Sequence, residues 1–380
     1  MNDAVIVSAI RTPVGKKNGA LSSIHPADLS AHVLDHLVER TGIDPAIVDD
    51  VVWGCVSQVG EQTFDIARTA VLSAGWPESV PGTTVDRQCG SSQQAVHFAA
   101  AGLISGQYDV AVAGGVESMS RIPMGSAQAT GNPFGPRYTE RYGPEAPNQG
   151  IGAEMIADKW ALSRHQLDEF AISSHERAAA ATDAGLFATE IAAIEVDGRT
   201  VGVDEGIRRG GTVEKLAGLQ PAFRENGRVT AANASQISDG SAALLMMTSA
   251  AAAKAGLTPL ARVHTAVVVG SAPMPMLTGP IPATQKALTR SGLSLDDIGV
   301  FEVNEAFASV VLAWAAEFDV DLAKVNPLGG AIALGHPLGG SGARLMTTML
   351  HHMRTENIRY GMQTMCEGGG QANATILELL

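Results

Sequence analysis

The chain has 380 residues, long enough for two core-forming domains plus an insertion. With 45% hydrophobic and 17% charged residues it can build sizeable cores and falls outside the composition of disordered chains. A formal charge of -13 at pH 7 argues against nucleic acid and against an anionic membrane surface, since both demand a cationic face.

Met1-Asn2-Asp3-Ala4 leads directly into Val5-Ile6-Val7, without the basic segment and apolar stretch that export needs, and no window approaches ~18 uninterrupted apolar residues. A cytoplasmic protein is expected. Val5 to Val7, Val51 to Val56 and Thr83 to Val85 predict strands, and the stretch after Pro26, with Leu29, Val33 and Leu37 on one face, predicts a helix. That alternation predicts α/β layering. Ser91 to Ser105, ended by Gly106, has few polar positions beyond its first turn and predicts a helix buried nearly all round. Val110 to Gly115 predicts a strand. From about Glu117 to Ala234 the character changes: Pro, Gly and charged residues gather between Arg121 and Pro147, and the helices predicted over Ile151 to Trp160 and Gln166 to Ala181 read as polar and separate. This reads as an inserted subdomain. Ser241 to Met247 is apolar again, and from about Leu260 the opening pattern recurs: Val263 to Val269, a helix over Ala283 to Arg290, Val300 to Val303, a helix carrying Phe307, Val310, Trp314 and Phe318, then Val325. In the duplicated βα unit this suggests, Val85 to Gly106 corresponds to Val325 through Met353. Cys89 and His336 then occupy similar places, each on a turn feeding a helix.

The cysteines Cys55, Cys89 and Cys366 are too few and too odd in number for a disulfide framework, and no pair has C-x-x-C spacing, so a reducing compartment and no metal are expected. Cys89 follows a strand and precedes a helix, where unpaired N–H groups and the helix dipole stabilise a thiolate. A lone cysteine is more often a small buried hydrophobe. Its context argues otherwise. Asn326 to Gly342 reads NPLGGAIALGHPLGGSG, a glycine density suited to backbone lying close to a ligand, with His336 in its middle. Cys366-Glu367-Gly368-Gly369-Gly370 joins two predicted strands, and its N–H groups can point at an oxygen. Asn304 closes the strand Val300 to Val303, where α/β ligands usually bind. His351 and His352 read as surface residues, and His25, His32 and His36 as a solvated helix face without the further ligands of a metal site.

Together these segments resemble the thiolase signature: a nucleophile box around Cys89, N-E-A-F from Asn304, G-H-P-x-G-x-S-G from Gly335 to Gly342, and C-x-G-G-G from Cys366 to Gly370. The resemblance covers essentially the whole chain, including Gly279 to Ala283, Asn233 to Ser235 and Ser238 to Gly240. It implies an α/β thiolase fold with duplicated βαβαβαββ halves (1–120 with 236–258, and 259–380) forming a five-layered αβαβα core. It also implies an inserted loop domain (121–235) covering coenzyme A and the acyl chain, and a dimer or dimer of dimers. By resemblance Cys89 is the nucleophile, His336 its base and Cys366 the second acid/base. One oxyanion hole is implied at His336 with a water held by Asn304, and another at the N–H groups of Cys89 and Gly368. Ser235 and Arg208 match positions at the pantetheine and adenine ends of coenzyme A, Met276 and Phe307 match acyl-pocket positions, and Gln149 stands where many acetoacetyl-specific members place methionine. Coenzyme A is then a co-substrate, with no permanently bound cofactor, and the partners are acyl-CoA and CoA.

The common box reads N-x-x-C-x-S-G-L, whereas Asp86, Ser92 and Gln93 stand here in place of Asn, Gly and Leu. This variant, with Gly152-Ala153-Glu154 and Ser235 to Ser238, is similar to actinobacterial degradative thiolases, including those acting on bulky steroid fragments. The implied activity is cleavage of 3-ketoacyl-CoA in fatty-acid or steroid side-chain β-oxidation. The alternatives are biosynthetic acetoacetyl-CoA formation, a carrier-protein-dependent condensing enzyme, whose relatives use a cysteine with two histidines, and a non-catalytic lipid-binding or scaffold relative.

Overall fold

In the computed structural model, which describes residues 2–380, the wholly buried strand β1 (Val5–Arg11) leads to α1 (Pro26–Thr41). Pro26 supplies the first-turn φ, the His25 ring accepts from Ala27 N–H as N-cap, and Gly42 at φ 68° ends the helix. There follow β2 (Asp50–Gly54), α2 (Ile66–Ser73), β3 (Gly82–Val85), α3 (Ser91–Ser105) and β4 (Val110–Ser118). A long excursion carrying α4 (Gln149–Lys159) and α5 (Arg164–Asp183) precedes β5 (Ser238–Met247). The second half runs β6 (Ala261–Gly270), α6 (Pro280–Ser291), β7 (Val300–Val303), α7 (Ala308–Phe318), α8 (Ser341–Glu356), β8 (Tyr360–Glu367) and β9 (Gln371–Leu379).

The strand order is β7-β8-β9-β6-β1-β5-β4-β2-β3 in one ten-stranded sheet, with Gly15–Lys16 pairing β5 as the tenth strand. The duplication is visible in that order. The first half reads β3-β2-β4-β5-β1, and the second reads Val325-β7-β8-β9-β6, because a single parallel bridge between Phe301 and Val325 stands where β3 stands. The strand expected at Val325 is therefore reduced to that bridge. Asn326 turns the chain inward instead, its amide side chain bonding both main-chain groups of Val303. The halves join edge to edge through only two antiparallel pairs, Val5 with Arg262 and Ile6 with Ala261.

Three apolar clusters define the layers. One lies between α1, α2 and the first half-sheet, one between the two half-sheets around α3 and α8, and one between the second half-sheet and α6 and α7. Helices outside, sheet, paired helices, sheet and helices outside make five layers, αβαβα. Both large aromatic anchors satisfy their indole N–H: Trp53 to Ser30 Oγ at 3.2 Å and Trp314 to Thr284 Oγ1 at 2.9 Å.

Several expectations change. The inserted helices are not separate. Leu167, Phe170 and Ala171 of α5 belong to the outer core of the second half, and Ala153 and Ile156 of α4 pack with Phe307 and Val310. Their buried faces are largely alanine and glycine, which a hydropathy reading leaves neutral. His351 is buried rather than at the surface, with Nε2 on Ala9 O and Nδ1 on Thr189 Oγ1, and His352 is half-buried. His25, His32 and His36 are half-buried too, and His32 Nε2 meets Ala192 O of the excursion.

Candidate active site

The turn between β3 and α3 places Gln88 at φ 49°, left-handed backbone that a non-glycine residue adopts only when its surroundings hold it. Three bonds hold it here. Asp86 Oδ1 accepts from Gln88 N–H at 2.7 Å, Ser91 Oγ accepts from Arg87 N–H at 2.9 Å, and the same hydroxyl donates to Gln88 O at 2.6 Å. Cys89 is thereby presented as a half-buried free thiol one residue before the N-cap, Gly90. Burial first, then the nearby Glu367 carboxyl, push the thiol up to about 12. Cys89 therefore needs a base.

His336 is the imidazole of the glycine-rich run. It is 3% exposed, its N–H donates to Ser238 Oγ at 3.0 Å, and its ring is fixed by Nδ1 against Ser341 Oγ at 2.6 Å. The Ser341 hydroxyl already donates to Pro337 O at 2.8 Å, so toward the ring it can only accept. Nδ1 must then carry the proton, leaving a lone pair on Nε2, which lies 3.5 Å from Asn304 Nδ2. Burial, reinforced by the Arg344 cation, holds the imidazole down at about 3, so at neutral pH it is an uncharged acceptor. Asn304 Oδ1 is buried with no hydrogen-bond partner.

Two carboxylates brace these loops. Glu117 accepts from Val56 and Ser57 N–H, Gln62 Nε2 and Gly339 N–H. Gly339 is packed so closely that a Cβ there would lie 2.5 Å from Val116 O. Glu305 of the N-E-A-F run accepts from Ser174 Oγ, Asn326 Nδ2 and Ile332 N–H, and so supports the loop rather than the reacting atoms.

Cys366 is the next-to-last residue of β8, 1% exposed, beside Met276, Leu277, Ala306 and Phe307. Burial, then the neighbouring Cys89, raise its thiol well above the ordinary range. The turn after it is tied to the Cys89 turn: Arg87 Nη1 donates to Gln371 Oε1 at 2.9 Å, Asn373 Nδ2 donates to Gly90 O at 3.1 Å, and a Cβ at Gly368 would lie 2.8 Å from Gln88 Oε1. Cys89, Cys366, His336, Asn304 and Gly368 are thus carried by turns that meet at one place.

The unusual box residues are accounted for. Ser92 Oγ accepts from Ala343 N–H of α8 at 2.9 Å. Gln93 Nε2 donates to Thr375 Oγ1 at 2.8 Å, and Gln363 Nε2 donates to Gln93 Oε1 at 3.0 Å and Gly342 O at 2.9 Å. Together they form a buried polar seam between α3, α8 and the second half-sheet.

A cavity of about 170 Å³ reaches His336, lined among others by Met119, Gln149, Phe223, Ser235 and Phe307. Met276 is not in its wall; it lies buried beside Phe307 and Cys366, at φ 53°. Arg208 lies apart, in a cavity of about 230 Å³ with His175, Arg209 and Lys215, a cationic setting. The segment Ala232 to Ser235 touches both cavities. Among the described residues no cluster of histidine, cysteine or carboxylate side chains could hold a metal ion, and no helix is long and apolar enough to cross a membrane.

Residues 4–250 match the thiolase N-terminal domain and residues 257–379 the thiolase C-terminal domain. The chain belongs to the thiolase family. This acyltransferase family includes the steroid 3-ketoacyl-CoA thiolase FadA6 of Mycobacterium tuberculosis, 53% identical over all of this chain and 95% of that protein. The 3-ketoacyl-CoA thiolase of Erwinia tasmaniensis is 48% identical with both chains fully covered. Among solved thiolase structures, the acetyl-CoA acetyltransferase of Bacillus anthracis superposes with a TM-score of 0.90 at 37% identity, covering 100% of this chain and 99% of that one.

The thiolase motifs contain Cys89, Asn304, His336 and Cys366, and also Ser238, Ser341 and Glu305 without showing what those three hold; Glu117 lies outside every motif. Glu117 interrupts the apolar strand β4, and that interruption was the available signal.

Proposed function

We propose that this thiolase cleaves 3-ketoacyl-CoA with CoA, giving acetyl-CoA and an acyl-CoA two carbons shorter, through a thioester on Cys89. His336 Nε2 takes the Cys89 proton, and the sulfur attacks the C3 ketone. The C2–C3 bond then breaks, leaving the acyl group on sulfur and the electron pair on the acetyl-CoA enolate, which Cys366 protonates. His336 passes its proton to the Cys366 thiolate, then accepts the thiol proton of CoA; the CoA sulfur attacks the thioester, and Cys89 leaves as a thiolate that takes the proton back from His336. His336 with Asn304 faces one developing oxyanion, and the N–H groups of Cys89 and Gly368 the other. The observation that carries this reading is that the segment after His336 packs on the start of the helix that follows Cys89, through Ser92 with Ala343 and Gly342 with Gln93, and that the imidazole is fixed through Nδ1 with Nε2 left open.

The segment 121–235 serves coenzyme A in this reading, with Arg208 at the phosphate-rich adenine end and Ser235 along pantetheine, while Gln149, Met276 and Phe307 surround the acyl group. The names of the 46–53% identical relatives support a degradative role. The acetyl-CoA acetyltransferase neighbour supports the biosynthetic alternative, and a profile of acetoacetyl-, long-chain and steroid 3-ketoacyl-CoA thioesters decides between them. A cytoplasmic homodimer or homotetramer is part of the reading. The unpaired edge of β3 and the Phe64 side chain, 93% exposed, are surfaces a second copy would cover, and light scattering on the eluting protein measures the state directly.

The division of labour is tested with Cys366→Ala. The variant should still be acylated on Cys89 by a simple acyl-CoA yet lose thiolysis by about 10²–10⁴-fold. Loss of both together contradicts the separate roles.

A further inference from the structure

One carboxyl group beside both sulfurs has no part in the reaction as written. Glu367 follows Cys366 at the end of β8, is fully buried, and neither of its oxygens has a hydrogen-bond partner. It lies against the turn that presents Cys89. A Cβ at Gly90 would run into Glu367 Oε1 and would also come within 2.8 Å of Asn373 Nδ2. Gly90 itself has an ordinary φ of -87°, so the space for this carboxyl, rather than backbone freedom, is what requires glycine there. Asn373 Oδ1 is likewise buried without a partner.

The charged and titratable surroundings of Glu367 are few. The nucleophile turn contributes Asp86, Arg87 and Cys89, and its own strand contributes Cys366; β9 contributes the uncharged Gln371 and Asn373. Arg87 spends its Nη1 donor on Gln371 Oε1 and makes no ion pair with Glu367. A buried carboxylate with neither an ion pair nor a hydrogen bond is costly, and the group avoids that cost by keeping its proton. Burial accordingly pushes Glu367 up to about 8.

We propose that Glu367 is a positioning residue for the two thiols: it fills the gap left by Gly90, and it stays uncharged in the resting enzyme so that no carboxylate opposes thiolate formation at Cys89 and Cys366. When alkaline pH removes its proton, a negative charge appears beside both sulfurs and makes each thiolate harder to form. This rests on Cys89 being the nucleophile of the proposed reaction, so the test reads the thiol itself rather than turnover.

The experiment is alkylation of Cys89 by iodoacetamide between pH 6 and pH 10, followed by mass spectrometry of the Cys89 peptide, in the natural chain, Glu367→Gln and Glu367→Met. The natural chain and both variants should react at nearly equal rates at pH 7, and the variants should be faster by about tenfold above pH 9, where only the natural chain carries the carboxylate. A rate ratio that is the same at every pH overturns the proposal, because a purely structural effect has no pH dependence. A ratio already raised at pH 7 overturns it as well, since the carboxyl would then be ionised at rest. If neither variant folds, the natural chain alone decides: the slope of log rate against pH must fall above about pH 8, and an unbroken slope contradicts the assignment. Failure of Cys89 to become acylated by substrate would remove the proposed reaction while leaving these alkylation profiles to be read independently.

Discussion

At the scale of single residues, His336 is governed by one hydroxyl. Ser341 has a single proton, given to Pro337 O, and this forces the proton of the imidazole onto Nδ1 and leaves Nε2 open. Ser341→Ala removes the acceptor and frees the ring to adopt the other tautomer. Its kcat/KM should fall by about 5- to 150-fold, equivalent to ~1–3 kcal/mol, with the loss in the acylation step of single-turnover kinetics. Because the imidazole sits at about 3, it remains a base well below the ordinary histidine range. The acid limb of kcat/KM should therefore show no inflection from His336 near pH 6.5, and a histidine-like inflection there would contradict the assigned environment. The position of His336 was legible in its glycine-rich run, and Ser341 was legible as a member of the same motif. Its bond to the ring was not, because the five-residue separation becomes a contact only through the particular turn at Pro337 to Gly340.

At the scale of elements, the joints between segments are polar where the sequence suggests apolar packing. Arg11 of β1 is fully buried and binds Glu190 at 2.6 Å and Asp204 at 2.7 and 2.9 Å, pinning the excursion to the first half-sheet. Arg11→Ala leaves two buried carboxylates without their cation and should destabilise the chain by about 3–5 kcal/mol in urea unfolding. The seam between α3, α8 and β8 behaves differently, since its members are neutral. Gln93→Leu alone should cost about 1–3 kcal/mol by taking a partner from Gln363 and from Thr375, whereas Gln93→Leu with Gln363→Leu should recover part of that loss. Additive losses in this cycle would mean the two amides are not coupled. The existence and order of α1, α3, β4 and β8 followed from periodicity. The packing of α4 and α5 did not, because alanine-rich faces carry no polarity contrast and their partners on α7 lie more than a hundred positions away.

At the scale of the whole molecule, the duplicated strand order sets the site at the meeting of two equivalent turns, the one after β3 and the one after Val325. The repeat was legible as a pattern of apolar runs, but not the fusion of the half-sheets, which rests on two residue pairs. Burial of titratable groups at the centre also shapes stability. His97 and His336 are both held at about 3, so their contribution is complete above pH 6.5 and is lost as pH falls through that value toward 3. Glu302 and Glu367 are raised to about 8, so theirs is complete below about pH 4.5 and is lost as pH rises toward 8. Tm should decline on both sides of a maximum where the two windows overlap, between about pH 4.5 and 6.5. Glu302→Gln should lessen the alkaline decline, and a Tm that keeps rising to pH 9 in the natural chain would contradict these burials. The most direct test of the central claim is to mix the enzyme with a 3-ketoacyl-CoA in the absence of free CoA, quench, and weigh the peptides. The peptide containing Cys89 should gain the mass of the shortened acyl group and lose it when CoA is added; an unmodified Cys89 peptide from enzyme that turns over normally would contradict the mechanism.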